Sequence, residues 1–521
     1  MSSRWRQVLI ALFVLAALVR LPDVWRPVDG SVRDSWREPD VAGIARNFYV
    51  EGMNPFRPRI DWRGDGPGFT ESELPLQPWL TACLYHVFGY HEELLRVVSF
   101  VLSMAACGVF FWMVSERLPR VAGLIAALAF ALNPMAVRMA SSIQPEPMMF
   151  LGYLAAAHFF LRWCERRQRR DYLWAIAATA LAILAKIPAA HIGVMFAALC
   201  FQHFGWRCVV RRDVWLFVVL SLGLPAAWYA YAHTLWLEYG NSLGMSNEAY
   251  VRIASGNFWS VLTVTIPSNV RIESDWIWMS SGLLLGVAGL WPVVRQREYR
   301  WIAYWLLSLV AFYVVAGRTT SEDWAKHYHI VSVPVACLLI GLGASLVPEV
   351  WSFASQHVEH SWLTRWGRRA VALLLISLTV RTLQLEAGTL RADLHPNACA
   401  QLFECAQQFR SHVEPDCLIV ASGDGQLDQF GLMRAYNAPY FFFWTRTKGF
   451  TLADEDQSLE KLTELRRRGA RYFVAEKRSL RKAEGFEQQL RDRFRVLDEH
   501  DKALLIDLTE MPEKADEHAH R

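Results

Sequence analysis

Seven side chains in this 521-residue chain stand where an acid, a base or an anion ligand would be useful: Asp40, Glu73, Glu146, Lys186, Lys326, His327 and Tyr328. Asp40 closes Trp36-Arg-Glu-Pro-Asp40 and precedes a helix-compatible run, Val41 to Phe48. Two readings stand side by side. A carboxylate there can cap the helix, worth about 1 kcal/mol, or it can take a proton from an acceptor hydroxyl or amine. Glu73 precedes Pro75 and Pro78, a stiff entry to a helix, so even an ordinary loop glutamate would be held in place here. Glu146 sits between Pro145 and Pro147 at the start of an apolar run. It suits the positive end of a helix, yet an acid at a bilayer edge is costly unless paired or functional. Lys186 ends another apolar run, before Ile187-Pro188. It can snorkel to the interface or bind a phosphate by charge-assisted hydrogen bonds. Lys326-His327-Tyr328-His329 groups donors that suit an anionic headgroup, or an interfacial belt of aromatic and cationic residues. The two histidines at i, i+2 do not share a helix face and are a weak metal pattern.

The elements that must hold these residues are membrane helices. Of the chain, 53% is hydrophobic, with 23 Trp and 29 Phe, and only 20% is charged. The apolar residues come in long blocks rather than at helical or strand periods, and a block of about 20 spans a bilayer. Blocks at 7–23, 94–115, 120–137, 147–163, 171–186, 188–204, 213–234, 277–294, 300–317, 328–347 and 370–386 predict about eleven spans, with up to about thirteen open. Pro188 marks a break in the 171–204 block. The N-terminal block starts with Arg4 and Arg6 but ends in Val19-Arg-Leu-Pro22, without small residues for cleavage, and reads as a retained first span. With the N-terminus in the cytoplasm, the inner loops 117–120, 162–170, 207–212, 295–300 and 365–369 are all Arg-rich. This is the positive-inside pattern, and it places the C-terminus outside.

Three long segments then lie outside: 24–93, 235–276 and 387–521. The reading is a membrane domain over 1–386, carrying the first two as loops, and a soluble domain over 387–521. In the latter, strands near 417–421, 471–475 and 503–507 alternate with an amphipathic helix over 456–468, which predicts a small open α/β sheet. The charged end, 512–521, reads as disordered. Cys399, Cys405 and Cys417 cluster in this domain, and one pair is open to a disulfide if it lies outside the cell. The net charge of +4 is too small for this length to argue for nucleic acid.

The topology comes from arginines, not from the seven candidate residues, yet it puts all seven on the outer face. Acids and cations at one surface suit a reaction in which an acceptor is deprotonated and a phosphate departs. The order Asp40, Ile44-Ala-Arg-Asn-Phe48, Ile60-Asp-Trp-Arg-Gly-Asp-Gly-Pro-Gly68, Glu71-Ser-Glu-Leu-Pro-Leu-Gln-Pro-Trp79 and Phe88-Gly89 resembles the GT-C glycosyltransferases. The likeness is to the bacterial branch related to dolichyl-phosphate-mannose protein mannosyltransferase and the lipid A aminoarabinose transferase. Leu184-Ala-Lys-Ile-Pro188 is similar to that family's lysine-proline turn, and Lys326 to Pro334 to its late His/Tyr-containing span start. The resemblance runs from about residue 7 to 350, with a looser likeness at Ala438-Pro-Tyr-Phe and Lys448-Gly449.

The resemblance implies a GT-C fold in a bacterial inner membrane, a polyprenyl-phosphate sugar donor, inversion at the anomeric carbon, and no catalytic metal or other cofactor. Asp40 would match the family's first-loop acid, and Glu146 the acid of the second outer loop, where relatives usually carry Asp. Lys186 would meet the donor phosphate, as would His327 or Tyr328, with Lys326 beside them, and Glu73 would position substrate. Many relatives carry two adjacent acids in the first loop, whereas Asp40 is followed by Val41 and Glu38 lies two before it. The acceptor is open among lipid, glycan and protein. Rival readings are a lipid-linked-sugar transporter or flippase, a non-catalytic assembly subunit, and an oligosaccharide ligase or polymerase using a diphosphate lipid. A transporter would carry mid-bilayer charges and repeated halves; few such charges and no repeat are visible.

Overall fold

In the computed structural model, residues 3–30, 37–243, 258–280, 282–357, 398–425 and 439–509 are described, with a few single positions between 366 and 384. They form two units: a helical one of 1–26, 93–228 and 250–390, and a second of 27–92, 229–249 and 391–521. The chain is a polytopic α-helical membrane protein with a C-terminal domain built on a mixed β-sheet.

Among the described residues, six helices are long and apolar enough to cross a membrane, or up to eight if two bent pairs each count as one span. This corrects the expected eleven. The block at 171–186 forms a helix of only 17 residues, Arg169–Ala185. The block at 147–163 forms Glu146–Arg166, but Glu146, His158 and Arg162 interrupt its apolar character, and all three are buried. The block at 370–386 falls largely outside the described residues, as does the charged end. The bent pairs are Arg120–Ala131 with Pro134–Ser141 (48°) and Val261–Ile277 with Gly282–Arg295 (95°). At the first bend Asn133 caps the second helix, accepting the amides of Met135 and Ala136 at 3.1 Å. Arg20, at the end of α1 (Ser3–Arg20), donates to the carbonyl oxygens of Ala131 at 2.7 Å and Phe130 at 3.3 Å. It thereby satisfies carbonyls that the helix end leaves open.

The span Ala325–Leu346 is the centre of the helical unit, with 89% of its apolar window buried against 17% for Arg6–Trp25. Its helical part, α2 (Val333–His357), packs closely on α3 (Gly282–Arg295), because glycines face glycines there. A Cβ on Gly343 would run into the carbonyl of Leu285, and one on Gly289 into that of Leu339. Close approach through small residues is how membrane helices gain dispersion energy without a solvent-driven force. Gly343→Val should therefore destabilise the unit by about 1–3 kcal/mol or more, read as a lower melting temperature in detergent. Unchanged melting would show that the two helices can separate freely.

In the second unit the sheet order is β2-β1-β3-β5-β4. Strands β1 (Leu418–Ser422), β2 (Lys448–Leu452), β3 (Ala470–Glu476) and β4 (Arg495–Glu499) run in one direction; β5 (Ala503–Asp507), between β3 and β4, is antiparallel to both. Every residue of β5 is buried, and Ala503 to Ile506 reads as a continuous apolar run before Asp507. Val420, Phe473, Leu504 and Ile506 form the core with Leu462 and Leu465 of the helix Leu459–Arg467. Ser458 caps that helix by accepting the amide of Lys461 at 3.2 Å. Strands β2 and β4 were not expected: β2 begins Lys-Gly and β4 is largely charged, so neither shows an apolar run. All nine cysteines are free thiols.

Candidate functional site

In the helical unit the chain breaks where Pro188 demands it. The helix ends at Ala185, Lys186 is extended (φ −163°, ψ 121°), and a short 3-10 turn, Ile187–His191, follows. The break aims Lys186 inward, where it is 6% exposed. Its Nζ donates to Oε1 of Glu146, which begins its helix and is fully buried. Nε2 of His327 lies 3.4 Å from the same oxygen. The ammonium of Lys186 also sits 4.2 Å from the ring centroid of Tyr328. Oε2 of Glu146 is buried and accepts no hydrogen bond. Four of the expected residues thus meet, and each answers the cost of burying the others. An ammonium fixed by one carboxylate oxygen keeps further donors for an anion.

His327 and Tyr328 belong to a 3-10 segment, Asp323–Ser332, whose tighter winding spreads successive side chains to different sides. Lys326 therefore turns to Trp276, 5.3 Å from the ring centroid. His329 is held between Glu273 (Nδ1 to Oε1, 2.7 Å) and the carbonyl of Thr320 (Nε2, 3.0 Å). Tyr313 donates to the same Glu273 oxygen at 2.5 Å and contacts Ser332 at 2.9 Å. Glu273 and Tyr313 were not singled out in the sequence. Neither lies in a motif, and only folding brings them to His329.

The second unit carries Asp40 and Glu73. Asp40 lies in the first turn of α4 (Arg37–Glu51), after Glu38 and Pro39, so it is not the N-cap. Its Oδ1 accepts the indole N–H of Trp62 at 2.8 Å, and its Oδ2 is buried without a hydrogen bond. Burial pushes the Asp40 carboxyl up to about 7, against the pull of the Trp62 hydrogen bond and the Arg37 charge, with Asp61 adding to the rise. Arg37 makes an ion pair with Glu73 and donates to the carbonyl of Leu243 at 2.8 Å, which gives Glu73 its fixed position.

Behind Asp40, Asp61 accepts Arg46 and Asn47, each at 2.8 Å. Gly43 makes room for it: a Cβ there would lie 2.6 Å from an Asp61 oxygen. Trp62 and Asp61 stand in the Ile60-to-Gly68 stretch that carries the family resemblance, but neither was singled out in the sequence as a site residue; that stretch is the signal that could have found them. Among the described residues, no group of three or more His, Cys, Asp or Glu side chains is placed to hold a metal ion.

Residues 70–231 match the family model described as dolichyl-phosphate-mannose-protein mannosyltransferase. No curated protein matches the chain by sequence. Among solved structures, ArnT from Cupriavidus metallidurans bound to undecaprenyl phosphate is similar, with a TM-score of 0.59, 14% identity, and 97% of this chain and 98% of that one covered. Its apo form gives 0.59, 15%, 90% and 93%. The Archaeoglobus fulgidus oligosaccharyltransferase in its apo form gives 0.54 and 12%, covering 91% of this chain and 69% of that one. The chain has the fold of the GT-C glycosyltransferases, and its residues 70–231 carry the sequence pattern of the dolichyl-phosphate-mannose-protein mannosyltransferase family.

Proposed function

We propose that this protein moves a sugar from a polyprenyl-phosphate donor to a lipid, glycan or protein acceptor at the outer face of a bacterial inner membrane. The observation that carries the reading is Lys186: a buried lysine, fixed by Glu146 and seated on Tyr328, in a helical unit of GT-C fold. A lysine held this way meets a phosphate with little reorganisation. The Arg-rich inner loops support an N-terminus in the cytoplasm and a C-terminal domain outside.

In the reaction, an acceptor oxygen or nitrogen attacks the anomeric carbon as the bond from that carbon to the phosphate oxygen breaks. Asp40 takes the acceptor proton through Oδ2, the oxygen that accepts no hydrogen bond within the fold. The departing lipid phosphate keeps the bonding electrons, and Lys186, His327 and Tyr328 stabilise its charge, with Lys326 nearby on the same turn. Glu146 holds the lysine, and Glu73 holds Arg37 near Asp40. Attack opposite the leaving group inverts the anomeric carbon. No step calls on a metal.

Purified protein in detergent, given a radiolabelled polyprenyl-phosphate hexose and a membrane-lipid and glycan extract, should pass label to an acceptor. Donor binding without any transfer across lipid, glycan and protein acceptors would favour a transporter. Failure to bind any monophosphate donor would point instead to diphosphate-linked oligosaccharides.

A further inference from the structure

Along α4 from Asp40, eleven residues or roughly 16 Å away, Glu51 closes the helix beside a cleft of about 340 Å³. The cleft is lined by Arg59, Arg63 and Lys448, by Glu51 and Asp65, and by the Gly64-to-Pro67 turn and Leu418. Its volume is about ten times a water molecule's share of the liquid and lies at the small end of ligand sites. We propose that this cleft is a binding site for a phosphate dianion, a site distinct from the one around Asp40 and independent of the sugar-transfer reading.

The charge balance carries the argument. Arg59 reaches Glu51 at 2.8 Å, Arg63 at 2.5 Å and Lys448 at 2.5 Å, so three cations converge on one carboxylate. Their attraction outweighs burial and holds Glu51 at about 2, so it remains ionised and still leaves two positive charges over. The other acids do not remove the excess. Asp65 is taken by Arg468, at 2.6 and 3.1 Å. Asp416 is 3.8 Å from Lys448 and 77% exposed, where water screens it.

A structural clamp would need one cation for Glu51, and each further cation adds repulsion. An excess of cations is what a doubly charged oxyanion requires, and arginine forks match phosphate geometry. Nε of Arg63 is buried and makes no hydrogen bond, although that side chain is only 5% exposed. Arg59 and Lys448 keep 28% and 19% of their side-chain surface exposed, so an anion can reach them.

The test is calorimetric titration of the full-length protein in detergent, at constant ionic strength, with inorganic phosphate and with short-chain phosphatidic acid. Saturable phosphate binding is expected. Arg59→Gln, at the most exposed of the three cations, should weaken it at least tenfold, and Arg59→Gln with Lys448→Gln should abolish it. Glu51→Gln removes the competing carboxylate and should tighten binding several-fold. Affinity tenfold higher for phosphatidic acid would identify a lipid headgroup as the source; equal affinity would identify free phosphate. Absence of saturable binding in the parent protein overturns the proposal. So does binding that Arg59→Gln and Glu51→Gln both leave unchanged, because the cations would then be only a clamp.

Discussion

Asp40→Asn should abolish sugar transfer, with a loss of about a hundred- to ten-thousand-fold in rate, and should leave the protein more stable near pH 8 than its parent. The two effects share one cause. Asp40 is 4% exposed and has one carboxylate oxygen with no hydrogen bond. Burial raises its carboxyl from an ordinary carboxylate value to about 7. A group whose folded value is raised stabilises the fold fully below its unfolded value. That contribution is lost as pH rises through 7. The shift of roughly 3 units corresponds to at most about 4 kcal/mol of stability lost between pH 4 and pH 8. Asn makes no charge, so this loss should vanish from a melting-temperature profile of the variant.

Activity runs the other way in the parent. A base must be ionised, so the rate should climb as pH rises through about 7. Trp62→Phe removes the hydrogen bond that favours the carboxylate and should move this limb to higher pH, with the maximal rate less affected. Near-normal transfer by Asp40→Asn would end the assignment of Asp40 as base.

Lys186→Met should cost both stability and transfer, and the two losses can be separated. Removing the lysine leaves the carboxylate of Glu146 fully buried beside the imidazole of His327, 3.4 Å away. Breaking a buried pair from one side typically costs about 3–5 kcal/mol. Adding Glu146→Gln removes the stranded charge, so the double variant should regain most of that stability. It should not regain transfer, nor the binding of a labelled polyprenyl phosphate. A double variant that binds the lipid and transfers sugar normally would show that Lys186 is only the counter-ion of Glu146.

Much of this was legible in the residues. The break at Lys186-Ile-Pro188 follows from proline's missing amide hydrogen and its crowding of the preceding turn, both local properties. The strands at β1, β3 and β5 announce themselves by short apolar runs buried on both faces: Ile419 to Ala421, Phe473 to Ala475 and Ala503 to Ile506. Edge strands β2 and β4, half polar, send no such signal. The span count came out too high where a block of apolar residues folds into a helix that is too short, as Arg169–Ala185 with 17 residues, or is interrupted by polar side chains, as Glu146–Arg166 by Glu146, His158 and Arg162.

Sequence alone determined the residue types and their local backbone: long apolar blocks, a proline-fixed turn at Lys186, and acids at Asp40, Glu73 and Glu146. Tertiary structure alone decided who meets whom. It set Lys186 on Glu146 and Tyr328 across separate helices, sent Lys326 to Trp276, tied Glu273 and Tyr313 to His329, and gave Asp40 its Trp62 partner in place of a capping role. The physical reason is that a carboxylate's charge and strength depend on burial and on the nearest donors. Those come from residues tens to hundreds of positions away, which no local spacing encodes.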